Sequence, residues 1–216
     1  MRIPVVQRVL EANDRVAEEN RRLFEKMEVL VINLLSGPGA GKTTLLERTI
    51  VGLKGQYRFG VIEGDVESTY DAEKIASTGA SVVQINTGGA CHLDGNMVRE
   101  AVDKIDLDSL DVLMVENVGN LICPAEFDLG EDLKVMLLSV PEGDDKPLKY
   151  PLVFHESSLL LLNKMDLLPY VDFNVERTRK ESLKINPYLE LIEISCKTGD
   201  GLPSWFSWLS SRINKR

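Results

Sequence analysis

Cysteine is scarce: three residues in a chain of 216, an odd number that speaks against a disulfide framework and leaves thiols available for metal or redox chemistry. Positive charge is also short, with 25 Lys and Arg against 34 Asp and Glu and a net charge of -9. That balance argues against an electrostatic nucleic-acid binder and points to proteins and small ions as partners. No stretch approaches the ~20 consecutive apolar residues of a membrane span. Met1-Arg2-Ile3-Pro4 lacks the apolar core of a signal segment, so a cytoplasmic location without membrane attachment is expected. There is no internal repeat or low-complexity tract, and the length suits one substantial domain able to bury a core without staples.

What is present centres on one stretch. Ser36-Gly37-Pro38-Gly39-Ala40-Gly41-Lys42-Thr43-Thr44 follows the apolar run Val29 to Leu35 and precedes Leu45-Leu46. This is the strand, glycine-rich turn and helix of a phosphate-binding loop, with Ser36 where the strict pattern has glycine. Glycines 37, 39 and 41 let successive backbone N–H groups converge on phosphate oxygens, and the helix beginning near Lys42 adds its positive end. Lys42 supplies a point charge to the β and γ phosphates and the Thr43 hydroxyl can ligate Mg²⁺. Gly37, Gly39, Ala40, Gly41, Lys42, Thr43 and Thr44 are the candidate phosphate contacts.

Apolar strands alternate with helices along the rest of the chain, which predicts an α/β P-loop fold with a doubly wound, mostly parallel sheet. Strands are expected at 58–62, 81–86, 111–115, 134–140, 159–162 and 189–194. Helices are expected at 43–53, 72–77, 94–104 and 175–185 and after Pro203, where Trp205, Phe206, Leu209 and Ile213 pack back. Residues 141–150 read as a surface loop. Residues 5–27 form an extra amphipathic helix with Val5, Val6, Val9, Leu10, Val16, Ala17, Leu23, Phe24 and Met27 on one stripe. A seven-residue seam through Val6, Asn13, Asn20 and Met27 is compatible with a short coiled coil, but two asparagines in about three heptads favour packing on its own domain. The expected organisation is a helix in 1–28 and a GTPase domain in 29–216.

Asn163-Lys164-Met165-Asp166 follows an apolar strand and matches the N-K-x-D element of GTP-binding proteins, whose carboxylate pairs with two guanine donors. Ser195-Cys196-Lys197 resembles their second base loop, S-A-K, with cysteine for alanine. Either alone also fits a polar loop; together, downstream of a phosphate loop, they favour GTP over ATP. Asp65, at a strand end, is the candidate for a direct or outer-sphere Mg²⁺ ligand and for orienting the attacking water, with a turn cap as the alternative. Glu116, followed by Gly119, stands where a D-x-x-G switch would be, with glutamate for aspartate. Lys42, Asp65 and Glu116 are therefore the expected catalytic set. No glutamine follows Gly119 to position water, which predicts slow intrinsic hydrolysis.

Cys91 and His92 are adjacent in a glycine-rich loop, and Cys123 lies seven residues after Glu116, with Pro124 expected to hold it extended. Two thiols and an imidazole suit Ni²⁺ or Zn²⁺ rather than Mg²⁺, although a Cys-His pair alone is more often incidental. The loop Gly89-Ala90-Cys91-His92-Leu93-Asp94, the segment Glu116 to Pro124, the phosphate loop and Asn163 to Asp166 together resemble the HypB family of hydrogenase maturation nickel-handling GTPases. The resemblance covers essentially the whole chain. It implies Cys91, His92 and Cys123 as nickel or zinc ligands and a homodimer formed on the GTP-bound face. It further implies nickel delivery to the large subunit of [NiFe]-hydrogenase with a HypA-like partner. The sequence contains neither the N-terminal Cys-x-x-Cys-Gly-Cys site nor the histidine-rich tract of some relatives, so high-affinity nickel storage through such elements is not expected.

Three ligands per chain serve a tetrahedral ion incompletely, so a symmetric dimer could complete the site or hold two ions side by side. Cys123 lies in a segment expected to sense the γ phosphate, so metal and nucleotide occupancy would be linked. Cys196 is read as a substitute for alanine and His155 as a surface residue. Other readings of the same motifs are a GTPase serving urease or a cobalamin-dependent mutase, a P-loop small-molecule kinase or ligase, and a metal buffer with vestigial GTPase elements.

Overall fold

The computed structural model describes residues 5–65 and 69–216, the first five as helix backbone alone. Met1 to Pro4, the segment expected to carry no signal core, and the side chains of Val5, Val6 and Val9 fall outside them.

Strands buried on both faces need apolar side chains at every position rather than at alternate ones, and that is how this sheet is written. In β6 (Leu159–Asn163), Leu159 and Leu161 enter one core while Leu160 and Leu162 enter the core on the opposite face. In β1 (Leu30–Ser36), Leu30, Ile32 and Leu34 take the first side, and Val31 and Leu35 the second. The other strands are β2 (Phe59–Asp65), β3 (Ser81–Asn86), β4 (Val112–Glu116), β5 (Leu133–Ser139) and β7 (Glu190–Glu193). All pairings are parallel, in the order β3-β2-β4-β1-β5-β6-β7.

Helices α2 (Lys42–Gly52), α3 (Tyr70–Ala76) and α9 (Leu202–Ile213) cover one face. There Trp205 is fully buried and donates its ring N–H to Thr49 Oγ1 at 2.8 Å. The other face carries α1 (Val5–Lys26) and α4 (Gly95–Val102) over β2 and β4, and α5 (Cys123–Glu126), α7 (Pro151–Glu156) and α8 (Val175–Ile185) over β5 and β6. A short helix, α6 (Lys146–Lys149), sits beside α7 and α8. The chain leaves β1 towards β2 on one side and later fills β5 on the other. The carboxyl end of β1 is thus the switch point where a doubly wound sheet opens a crevice.

Ala17 and Phe24 of α1 are buried. Asn13 and Asn20 are buried too, and both hold backbone: Asn13 Oδ1 accepts from Gly95 N at 2.8 Å, and Asn20 Nδ2 donates to Gly95 O at 2.9 Å and Leu129 O at 3.1 Å.

Two local expectations are corrected. Residues 141–150 contain the end of a 3-10 turn (Val140–Glu142) and all of α6, because Pro141 and Pro147 sit in first-turn positions where a missing N–H costs nothing. Cys123 is not extended; it opens α5, with Pro124 in the first turn for the same reason. Among the described residues no helix is long and apolar enough to cross a membrane.

Candidate nucleotide and metal site

The loop between β1 and α2 takes its shape from Gly41, the N-cap of α2, at φ 107°. A side chain there would be strained by the left-handed backbone and would meet Asn163 Nδ2, 2.7 Å from an added Cβ. Lys42 Nζ donates to Ser36 Oγ at 3.0 Å, so the residue that departs from the strict motif serves as a rest for the lysine. Burial lowers the Lys42 pKa, opposed by the charges of Glu116 and Glu63. Thr43 Oγ1 donates to Glu116 Oε1 at 2.9 Å. Lys42, Thr43, Asp71 and Glu116 line a cavity of about 340 Å³.

A second cavity of about 400 Å³ shares Gly41, Thr44 and Lys164 with the first and is closed by Asn163, Asp166, Cys196 and Lys197. Asn163 braces two loops, donating to Ala40 O at 2.9 Å and accepting from Cys196 N at 3.1 Å. Lys164 is held at φ 62° while its Nζ reaches Gly39 O at 2.7 Å. Ser195 Oγ donates to Asp166 Oδ1 at 2.6 Å, aiming the carboxylate. Cys196 is buried, which pushes its thiol up to about 11. The motif residues of the phosphate and base loops therefore converge on two joined cavities. A larger cavity of about 580 Å³, lined by residues that include Arg21, Asp128 and Lys134, contains no residue of the phosphate or base loops.

Cys91, His92 and Cys123 also converge: one ligand atom from each lies within 4.8 Å of the others. Cys91 Sγ is 3.6 Å from His92 Nδ1. The His92 ring packs on Phe127 with centroids 3.9 Å apart, and its burial lowers the pKa and favours the neutral, ligating imidazole. The Cys123 thiol is raised by its hydrogen bond to Cys91 and by burial. The cluster is half-open to solvent, with Cys91 exposed.

Residues 30–193 match the family model described as CobW/HypB/UreG, nucleotide-binding domain. Over 204 residues the chain is 50% identical to hydrogenase maturation factor HypB of Escherichia coli (strain K12), covering 94% of this chain and 70% of that protein. The chain belongs to the HypB family. Its fold matches HypB of Archaeoglobus fulgidus at a TM-score of 0.89 and 38% identity, over 94% of this chain and all of that one. It also matches HypB of Helicobacter pylori, solved in complex with nickel, at a TM-score of 0.90 and 36% identity, over 94% and 96% of the two chains.

Some residues of this HypB-family site were not singled out from the sequence. Glu63 is the register partner of Glu116 across β2 and β4. Burial, with repulsion from Glu116 and Asp65, pushes it up to about 8, and burial lifts Glu116 to about 7 despite Lys42 and Thr43. One oxygen of each, Glu63 Oε2 and Glu116 Oε2, lacks a hydrogen-bond partner among the described residues. An acid at the end of an apolar strand was the available signal. Arg48 of α2 donates to Cys196 O at 3.0 Å and Lys197 O at 3.3 Å, fastening the base loop to the phosphate-loop helix. No spacing rule announces that contact.

Proposed function

We propose that this chain is a GTP-hydrolysing nickel chaperone that supports nickel insertion into [NiFe]-hydrogenase, with its cargo ion held by Cys91, His92 and Cys123. The observation that carries the reading is that one segment, 116–123, reaches both places. Its first residue accepts the Thr43 hydroxyl, and its last stands with Cys91 and His92. The organisation that goes with it is a helix in 1–28 carried on a GTPase domain in 29–216, working in the cytoplasm. Its partners are a second copy of itself, a HypA-like nickel-delivery protein and the hydrogenase large subunit.

In the joined cavities, Asp166 reads the two guanine donors while Ser195 fixes its direction, and the N–H groups from Gly37 to Thr44 cradle the phosphates. Lys42 swings from Ser36 to the β and γ phosphates. Asp65 orients the water that attacks the γ phosphate, giving GDP and phosphate. Partnerless buried carboxylate oxygens beside a threonine hydroxyl suit a hard, oxygen-seeking cation, so Mg²⁺ fits here, held by Thr43 with Glu116 and Asp65 as direct or water-bridged ligands. When bound, Mg²⁺ neutralises charge developing on the phosphates. Hydrolysis is slow, because no glutamine follows Gly119 to place the water. Two thiols and an imidazole leave one tetrahedral position open, which a symmetric dimer fills or which lets two ions lie side by side. Loss of the γ phosphate loosens segment 116–123 and with it the hold on the ion.

The test is a titration of Ni²⁺ and Zn²⁺ into wild type, Cys91→Ala and Cys123→Ala, each with GDP and with a non-hydrolysable GTP analogue, recording mass in solution. Each thiol variant is expected to lose stoichiometric binding, and Lys42→Ala to lose hydrolysis. Undiminished binding in both thiol variants would remove the thiol site. Turnover unaffected by Lys42→Ala would remove the GTPase assignment.

A further inference from the structure

A short run of buried polar bonds links the end of β4 to the loop that carries Cys91 and His92. Asn117, the residue after Glu116, is 1% exposed. Its backbone N–H extends the sheet ladder to Leu34 O at 3.2 Å. Its Oδ1 accepts from Leu93 N at 3.1 Å and Val118 N at 3.0 Å, and its Nδ2 donates to Asn33 Oδ1 at 3.2 Å. Asn33 is fully buried and passes the chain on to Glu131 at 3.1 Å. Three residues further, Asn120 Nδ2 donates to Cys91 O at 3.2 Å. The backbone is therefore gripped at 91 and at 93, on both sides of His92, by asparagines of the segment that begins at Glu116 and ends at Cys123. Gly119, between them, lies against the phosphate loop, with Pro38 Cα 3.0 Å from where its Cβ would be.

We infer that Asn117, assisted by Asn120, is the positioning residue that transmits nucleotide state to the metal cluster: it makes the Cys91-His92 loop follow the strand end that senses Thr43. The inference rests on the reading above, that this cluster binds nickel in step with nucleotide. Leu93 is fully buried, so its N–H has no water to turn to if Asn117 moves away. Keeping that bond is favoured by the full desolvation penalty of an unpaired donor. A shift at Glu116 thus drags the loop along instead of breaking the tie. Without the tie, only Cys123 would move with the nucleotide, and Cys91 and His92 would stay behind.

Asn13 supplies the control. It holds the same stretch two residues on, at Gly95 N, the first residue of α4, but from α1, which contributes no residue to the nucleotide cavities. The experiment is Ni²⁺ affinity by chelator competition, in the GDP and GTP-analogue states, for wild type, Asn117→Ala, Asn120→Ala and Asn13→Ala. Wild type is expected to bind Ni²⁺ about fivefold or more tightly with the GTP analogue, within the usual range of coupling between sites. In Asn117→Ala the ratio falls to within about twofold of one, in Asn120→Ala it falls part of the way, and in Asn13→Ala it holds while the melting temperature drops.

An unchanged ratio in Asn117→Ala overturns the inference. If that variant does not fold, an unchanged ratio in Asn120→Ala does so. A ratio lost equally in Asn13→Ala also overturns it, since any loosening of the loop would then suffice. A wild-type ratio of one would instead remove the nucleotide-linked reading itself, and the relay with it.

Discussion

Glu63 and Glu116 face one another at the ends of β2 and β4, and burial holds both carboxyls well above the usual 4.5, at about 8 and about 7. Between pH 4.5 and 8 these two carboxyls therefore hold more protons in the folded protein than in the unfolded chain. For a raised acid, stability is full below the unfolded value and is lost as pH rises through the folded one. Without nucleotide or metal, these two carboxyls are expected to lower the melting temperature from pH 5 to pH 8, with His92, whose pKa is lowered, acting in the opposite direction up to its unfolded value. Glu63→Gln should flatten that fall and be the more stable protein at pH 8, by on the order of 1 kcal/mol or more. Parallel melting curves across this range for the two proteins would contradict it. Gly41→Ala acts on the same cavity through backbone. The left-handed φ of 107° strains alanine by about 1–2 kcal/mol. The added methyl also pushes Asn163 off Ala40 and Cys196. Calorimetry should show GDP binding weakened by about tenfold or more, the equivalent of about 1.4 kcal/mol.

At the scale of elements, the docking of α1 depends on a residue outside it. Gly130 stands at φ 90°, and a Cβ there would lie 2.5 Å from Ala17 O and 2.8 Å from Arg21 N. Neither backbone atom can move without lifting the helix. Gly130→Ala is expected to destabilise by about 2 kcal/mol or more, combining left-handed strain with overpacking, measured by urea unfolding. On the other face, Trp205→Ala removes a fully buried ring and its bond to Thr49, and should cost about 3–5 kcal/mol. Because Thr49 lies on the phosphate-loop helix, GDP should recover part of that loss in a thermal shift.

For the whole molecule, the expected signature is association that follows nucleotide. Light scattering should find the monomer mass with GDP and twice that mass with a non-hydrolysable GTP analogue. The analogue-bound form should also hold Ni²⁺ more tightly. Equal masses in both states would leave each chain with its own incomplete set of three ligands.

Linear spacing was enough to lay out the glycine-rich loop after β1, the Asn163 to Asp166 tetrapeptide after β6 and the parallel sheet. Each is a local pattern: glycines where φ must be positive or backbone must come close, and unbroken apolar runs where both strand faces are covered. Family resemblance then turned Cys91, His92 and Cys123 from scattered residues into one expected set. What spacing could not state was which distant groups meet. Asn13 and Asn20 favoured packing of the helix on its own domain over a coiled coil, but nothing in the spacing named Gly95 and Leu129 as the groups they hold. Glu63 is one acid among 34 until β2 lies beside β4. Asn33 interrupts an apolar strand for no local reason; Asn117 and Glu131 supply the reason from 84 and 98 residues away. Buried polar groups need partners, and the partners of these were chosen by the packing of strands, which only the folded chain decides.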